Sequence, residues 1–149
     1  MLLLLFEIGE GRYALTADQL VEVVPLVQVK KIPLAPPYVV GLLNYRGTPT
    51  PVLDLGELLI GTPCEPKFST RTIIVNYPFD GKNTKKLGLI ATQVTETVKT
   101  ALKEVPASGV LMDESLYRLG TDADNERMIQ WFDLKRMLPE QDIIKLFQD

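Results

Sequence analysis

The stretch from Gly41 to Leu55, GLLNYRGTPTPVLDL, constrains the fold more than any other part of this chain. Apolar and β-favouring residues flank an Arg46-Gly47 pair on both sides, and this pattern predicts a β-hairpin. Gly47 can take a positive φ at little steric cost, so the chain can reverse there and hold the guanidinium of Arg46 at the rim. Pro49 and Pro51 lack amide donors, so we expect them at a sheet edge, a strand start or a bulge. Geometry alone leaves open whether Arg46 binds a partner or is only solvated.

Short β-favouring segments recur along the chain, separated by turns rich in Gly, Pro, Asp and Asn. They are Leu2 to Ile8, Arg12 to Thr16, Leu20 to Ile32, Val39 to Tyr45, Thr48 to Leu55, Arg71 to Tyr77, Leu87 to Gln93, Val94 to Thr100, Tyr117 to Leu119 and Arg127 to Asp133. Pro25 interrupts the third, which is one bent strand or two short ones. About nine or ten strands at this spacing predict an all-β sandwich or barrel. The proline-containing run Thr62 to Thr70 suits a crossing between two small barrels.

Two short helices are expected among the strands. Gly56 to Ile60 is predicted to form the first, closed by Gly61. Pro139 to Gln148 is predicted to form a terminal helix, because apolar residues recur there at helical spacing behind an acidic first turn. The residues of that apolar face are Ile143, Ile144 and Phe147. We expect the face to dock on the chain itself, with binding of a partner as the alternative.

Composition places the chain among ordinary globular proteins. Its 149 residues match one domain, 46% are hydrophobic and 23% are charged. A net charge of −3 and a pI near 5.1 argue against a nucleic-acid backbone as the main partner. The locally basic run Lys82 to Lys86 is predicted to be a solvated loop tip. The opening MLLLLFEIG is expected to be a first strand rather than a signal peptide, since it lacks a basic start and a cleavage site.

The sequence offers little for catalysis. Histidine is absent, which removes the usual general base and the commonest metal ligand. Cys64 is the only cysteine, which suits a reducing compartment, and it has no histidine to activate it. Asp54 and Glu57 are predicted to favour a helix N-terminus rather than to act as an acid pair. The acidic positions within 122–126 resemble part of a calcium loop but lack its glycine and closing glutamate. We therefore expect a binding module with no catalytic, metal or cofactor site.

Several segments in the same order resemble the CheW-like domain of bacterial chemotaxis. They are Tyr13-Ala14-Leu15, Leu20 to Val24, Ile32-Pro33, Val40 to Gly47 and Pro51 to Leu55. The most specific piece is the turn of asparagine, aromatic or aliphatic residue, arginine and glycine, followed by a PVxDL-type strand. The second half resembles the family more loosely, through RTIIVNY, LGLIATQVTETV, YRLG and MIQWFDLKRML.

The resemblance implies an all-β fold with short helices: two intertwined SH3-like five-stranded β-barrels and a C-terminal helix, within a single domain over residues 1–149. It implies no enzymatic activity. Members are cytoplasmic adaptors of two-component signalling that couple chemoreceptors (methyl-accepting chemotaxis proteins) to the histidine kinase CheA. The implied partners are the kinase regulatory domain and the receptor's cytoplasmic tip, with no nucleic acid and no membrane insertion. Alternatives are an adaptor of a type IV pilus or other taxis-like pathway, or a stand-alone SH3-like or OB-like ligand-binding domain.

Motif correspondence also carries over the family's site residues. It places Asn44, Arg46 and Gly47 at a receptor-facing turn, and Leu20 and Glu22 on a neighbouring strand. We predict that Glu22 and Arg46 form an ion pair there, although an exposed pair that is simply solvated would contribute only ~0 to 1 kcal/mol. The chain departs from the family pattern in three features, one of which is an extended Lys-rich loop around Lys85. Tyr45 stands where an aliphatic residue is expected, and Thr48-Pro49-Thr50 is unusually polar and stiff.

Overall fold

The computed structural model describes residues 2–80, 83–94, 98–99, 102–104, 117–122, 128–132, 134 and 138–147. Most of these residues lie in β-strands that form two sheets, accompanied by two short α-helices and a 3-10 turn over Ala17–Gln19. The predicted all-β class with short helices is therefore confirmed. None of the helices in the described ranges is long and apolar enough to cross a membrane.

The elements follow the chain in this order: β1 Leu2–Ile8, β2 Gly11–Thr16, β3 Leu20–Pro25, β4 Val39–Tyr45, β5 Thr48–Asp54, α1 Leu55–Ile60, β6 Arg71–Asp80, β7 Asn83–Ala91, β8 Val98–Lys99, β9 Leu102–Glu104, β10 Tyr117–Asp122, β11 Met128–Phe132 and α2 Glu140–Leu146.

One sheet is five-stranded, in the order β3-β6-β7-β5-β4, and it contains the predicted hairpin as β4 and β5. Although β3 and β4 are its two edges, the chain that leaves β3 returns to β4. Lys30 exchanges both backbone hydrogen bonds with Leu42 of β4, at 2.7 and 2.8 Å. Gly41 permits this approach, because a Cβ atom there would lie 2.3 Å from the carbonyl oxygen of Lys30. This isolated bridge joins the segment after β3 to the opposite edge strand, β4.

The prolines of β5 lie at the start of the strand, as expected. Pro49 pairs with Asn44 and Pro51 with Leu42, on the β4 side only. The parallel pairing of β5 with β7 begins at the next residue, Val52. The missing amide donors therefore fall where the strand has a single neighbour.

The other sheet is six-stranded, in the order β8-β1-β2-β11-β10-β9. It joins both ends of the chain, through a parallel pairing of β11 with β2, whereas the five-stranded sheet uses the middle. The two sheets are thus interleaved in sequence. They are tied directly where Glu7 of β1 and Thr92 exchange backbone hydrogen bonds of 2.8 and 3.1 Å. Its edge strands are β8 and β9.

Buried side chains from both sheets form one cluster. Its members are Leu4, Phe6, Ile8, Leu15, Val39, Leu53, Leu55, Ile73, Val75, Tyr77, Leu87, Leu89, Ala91, Leu134, Leu138 and Ile143. A smaller buried cluster consists of Leu43, Tyr45, Val52, Ile74 and Ile90. Neighbouring residues of a strand, such as Ile73 and Ile74, fall in different clusters because successive side chains point to opposite faces. Each fully buried large aliphatic side chain contributes roughly 1.5–3 kcal/mol.

Both predicted helices are present and docked on the chain itself. The side chain of Asp54 accepts a hydrogen bond from the amide of Glu57 at 3.1 Å, so Asp54 is the N-cap of α1, as predicted. In α2, Ile143 is completely buried in the larger cluster. The hydroxyl of Tyr38 donates to Oδ2 of Asp142 at 2.6 Å.

Two predicted segments need correction. The run Leu20 to Ile32 is a strand only to Pro25, because the following residues leave the β6 ladder and reach β4 through Lys30 alone. Asn83 to Lys86 belong to β7 rather than to a loop tip, since they continue the ladder with β6, and Lys86 Nζ donates to Asn76 Oδ1 at 2.9 Å.

Of Val94 to Thr100, the structure describes a strand at Val98–Lys99. Of the acidic stretch 122–126, Asp122 ends β10, and residues 123–126 lie outside the described residues.

Candidate functional site

The tip of the β4–β5 hairpin is set by its backbone. Arg46 has a φ of 51° and Gly47 a φ of 85°, so both central residues of the two-residue turn are in the left-handed region. Positive φ at both positions is the signature of a type I′ turn, whose twist matches that of the flanking strands. A left-handed arginine is uncommon because its Cβ crowds the backbone. The turn therefore holds Arg46 at the tip in a conformation that few residues of its kind adopt.

The side chain of Asn44 stabilises this turn. Its Oδ1 accepts a hydrogen bond from the amide of Gly47 at 2.9 Å. Asparagine side chains commonly mimic a backbone turn in this way. Asn44 and Gly47 thus support the geometry that presents Arg46.

Glu22 reaches the hairpin tip from the opposite edge of the five-stranded sheet. Nη2 of Arg46 lies 3.3 Å from Oε2 and 3.4 Å from Oε1 of Glu22, so the predicted ion pair is confirmed. The side chains of Arg46 and Glu22 are 75% and 35% exposed. Such a pair contributes about 0–1 kcal/mol to stability, because water screens it.

A bulge in β3 aims Glu22 at the hairpin. Leu20 pairs with Val75, and Glu22 pairs with the adjacent Ile74, so the register shifts between Leu20 and Glu22. Val75 belongs to the larger cluster and Ile74 to the smaller one that contains Tyr45. Leu20 accordingly packs against the larger cluster, while Glu22 is turned to the other face of the sheet. Of the predicted site residues, the structure brings together Glu22, Asn44, Arg46 and Gly47 and leaves Leu20 in the packing beneath them.

Tyr45 is the member of this site that sequence reasoning missed. Its hydroxyl donates to Oε1 of Glu22 at 2.7 Å, and its ring centroid lies 5.4 Å from the guanidinium carbon of Arg46. Tyr45 is only 9% exposed. The hydrogen bond to negatively charged Glu22 raises the pKa of Tyr45; burial adds to the shift, and the charge of Arg46 opposes it. The available signal was the aromatic residue where the resemblance predicts an aliphatic one. We refer to Glu22, Asn44, Tyr45, Arg46 and Gly47 as the hairpin-tip cluster.

Cys64, the other residue singled out for its chemistry, lies in a different place. Its amide donates to both carboxylate oxygens of Asp54 at 3.2 Å, and its thiol lies 3.6 Å from the carbonyl oxygen of Ile90. Burial, together with the charge of Asp54, raises the pKa of Cys64 to about 12. The thiol is protonated at neutral pH and is therefore a poor nucleophile.

Comparison with known proteins shows which family this chain resembles in sequence and in structure. The family model described as the CheW-like domain matches residues 2–142. A protein named Chemotaxis protein CheW, from Helicobacter pylori (strain ATCC 700392 / 26695), is 26% identical over 126 residues, which cover 83% of this chain and 73% of that protein. A protein of the same name from Bacillus subtilis (strain 168) is 31% identical over 75 residues, 50% of this chain and 48% of that protein.

A solved structure agrees with the sequence matches. The crystal structure of the scaffolding protein TtCheW from Thermoanaerobacter tengcongensis superimposes with a TM-score of 0.72 at 25% identity, covering 89% of this chain and 84% of that chain. The family match spans nearly the whole length, and the sheets have the fold of a family member. This chain therefore belongs to the CheW-like domain family of chemotaxis scaffold and adaptor proteins.

Proposed function

We propose that this protein is a cytoplasmic, non-enzymatic adaptor that couples chemoreceptors to a CheA-type histidine kinase. In this proposal residues 1–149 act as one unit, with one surface for the kinase regulatory domain and another for the helical hairpin at the receptor tip. The two contacts are coupled because both favour the same arrangement of the three proteins. Family membership and the cluster of buried residues shared by both sheets support it.

The observation that carries the receptor part of the proposal is the hairpin-tip cluster. Arg46 stands at the tip of a tight turn, 75% exposed, with Glu22 and Tyr45 on one side of its guanidinium. Arginine is over-represented among the residues that contribute most to protein interfaces. A charge at such a point also fixes the register of a partner. We therefore assign Arg46 as the main contact with the receptor, and Leu20, Glu22, Asn44 and Gly47 as its supports.

Arg46→Ala tests this assignment. Binding to a soluble fragment of the cytoplasmic hairpin of a chemoreceptor from the same organism is measured by isothermal titration calorimetry. We expect the affinity to fall at least about tenfold, because the variant removes the exposed guanidinium. Binding of the kinase regulatory domain should remain unchanged, since it uses another surface.

Lys67→Ala is the matched control. Lys67 is 62% exposed and pairs with Glu65 at 3.2 Å, so this variant removes a comparable surface cation outside the cluster. It should bind the receptor fragment with wild-type affinity. An Arg46→Ala protein that is folded and binds the fragment at full affinity contradicts the proposed function.

A further inference from the structure

Two donors share the carboxylate of Glu22, and their contacts differ. The Tyr45 hydroxyl lies 2.7 Å from Oε1, whereas Nη2 of Arg46 lies 3.3 and 3.4 Å from the two oxygens. Charge-assisted hydrogen bonds from a cationic nitrogen to a carboxylate are usually about 2.7–2.9 Å long. The tyrosine contact is thus fully formed, while the arginine contact is long.

Burial separates the two donors further. Tyr45 is 9% exposed and packs with Val52 and Ile74, so its ring is already fixed by the core. Arg46 is 75% exposed, and holding its long side chain on Glu22 costs rotamer entropy that water-screened attraction barely offsets. The raised pKa of Tyr45 agrees with a hydroxyl that stays bonded to the carboxylate. The contact of Glu22 with Tyr45 is therefore the shorter and more buried of the two, and its contact with Arg46 is the longer and more exposed.

This asymmetry matters when a partner covers the tip. A guanidinium that turns from Glu22 to the partner would leave the carboxylate unpaired at a surface from which water is being excluded, which is unfavourable. The Tyr45 hydroxyl removes that penalty, because Glu22 keeps its shorter hydrogen bond. In the contacts of the described residues, Arg46 reaches Glu22 through Nη2 alone.

We propose that Tyr45 is a positioning residue of the receptor site: its hydroxyl holds Glu22, so that Arg46 can leave Glu22 and bind a carboxylate of the partner. A carboxylate is the acceptor that the planar guanidinium fork fits best, with two parallel hydrogen bonds. This inference rests on the proposed function, since it concerns how the same site binds the receptor hairpin. It adds two points to that function: Tyr45 makes the exchange favourable, and the partner group that Arg46 binds is a carboxylate.

The test is a double-mutant cycle of Tyr45→Phe and Arg46→Ala, read as affinity for the receptor hairpin fragment. Tyr45→Phe alone should weaken binding about three- to tenfold, because it leaves Glu22 dependent on Arg46. In the Arg46→Ala background the same change should weaken binding less than about twofold, since no exchange takes place there. Tyr38→Phe is the control: it removes the hydroxyl of another tyrosine that donates to a carboxylate, and it should leave the affinity unchanged.

A second arm tests the partner's chemistry. A receptor fragment whose tip Asp and Glu residues are replaced by Asn and Gln should bind wild-type and Arg46→Ala proteins equally. If both proteins instead keep the affinity ratio seen with the unmodified fragment, the partner group is not a carboxylate and the inference is wrong.

The outcomes separate this inference from the proposed function. Full affinity of Arg46→Ala overturns the proposed function. If Arg46→Ala binds weakly but Tyr45→Phe has no effect, or has the same effect in both backgrounds, the proposed function stands and the positioning role is overturned. Thermal unfolding of each variant shows whether it is folded at the assay temperature, so loss of structure is not mistaken for loss of binding.

Discussion

Two tyrosine–carboxylate hydrogen bonds of nearly equal length join distant parts of this chain. Tyr45 donates to Glu22 at 2.7 Å across the edges of the five-stranded sheet, and Tyr38 donates to Asp142 at 2.6 Å, linking the segment before β4 to α2. Their surroundings differ. Beside the first stands the exposed Arg46; one residue from the second, Ile143 is completely buried.

The difference shows that neighbours decide what such a hydrogen bond does. Tyr38 is held at both ends, because its carbonyl oxygen also accepts the amide of Asp54 at 2.8 Å. Its hydrogen bond to Asp142 therefore fixes α2, whose buried residue Ile143 already contributes to folding. At the hairpin tip the same chemistry holds a charge beside an exposed cation, where stability gains little. We expect the α2 contact to matter for stability and the tip contact to matter for binding.

The largest effect is expected from Ile143→Ala. Truncating a completely buried isoleucine removes apolar burial and leaves a cavity, which costs about 2–5 kcal/mol of unfolding free energy. Urea denaturation followed by circular dichroism measures it. Ile144→Ala, at the half-buried neighbouring position, should cost clearly less. Equal losses in the two variants would mean that α2 is not anchored through Ile143, and the proposed division between the two regions would fail.

Much of both regions could be predicted from local sequence patterns. The hairpin, its reversal at Arg46-Gly47 and the Asp54 cap depend on residues close together in the chain, so turn and capping preferences indicate them. The ion pair of Glu22 with Arg46 followed from the family resemblance rather than from spacing.

The partners of the two tyrosines could not be predicted. Tyr45 and Glu22 are 23 residues apart in sequence, and Tyr38 and Asp142 are 104 apart. The first contact also depends on the bulge between Leu20 and Glu22, because shifting the register by one residue moves a side chain to the other face. A single sequence does not show where a valine-rich strand bulges. Tyr45 was therefore visible only as an unexpected aromatic residue.

A smaller effect is expected from Tyr38→Phe. It removes one hydrogen bond to a charged acceptor in a half-buried setting, so the unfolding free energy should fall by about 1 kcal/mol at pH 7. Receptor affinity should not change. A loss of affinity with no loss of stability would reverse the roles assigned to the two tyrosines.

The same variant has a characteristic pH dependence. Burial and the hydrogen bond to Asp142 raise the pKa of Tyr38 above the ordinary 10.0. A group whose pKa is higher in the folded state contributes stability that is complete below its unfolded pKa and is lost as the pH rises through the folded value. From pH 7 upward, the difference in unfolding free energy between wild type and Tyr38→Phe should therefore be constant to about pH 10 and shrink above it. Cys64 and Tyr45 titrate in both proteins, so their contributions cancel in the difference. A difference that falls between pH 7 and 9 would contradict this assignment.

The smallest effect on stability is expected at the hairpin tip, and a pair of variants separates its two components. Arg46→Ala removes an exposed ion pair worth about 0–1 kcal/mol but keeps a side chain at a φ of 51°. Arg46→Gly removes the same ion pair and also relieves the left-handed strain of about 1–2 kcal/mol. The unfolding free energy measured by urea denaturation should therefore be about 1 kcal/mol higher for Arg46→Gly than for Arg46→Ala. Both values should lie close to that of the wild type. If Arg46→Ala instead lost more than about 2 kcal/mol, the tip would be a structural contact like that of α2, and the strained arginine would have a role in folding. A small loss would mean that the guanidinium of Arg46 is not required for folding, which is consistent with a role in binding rather than in stability.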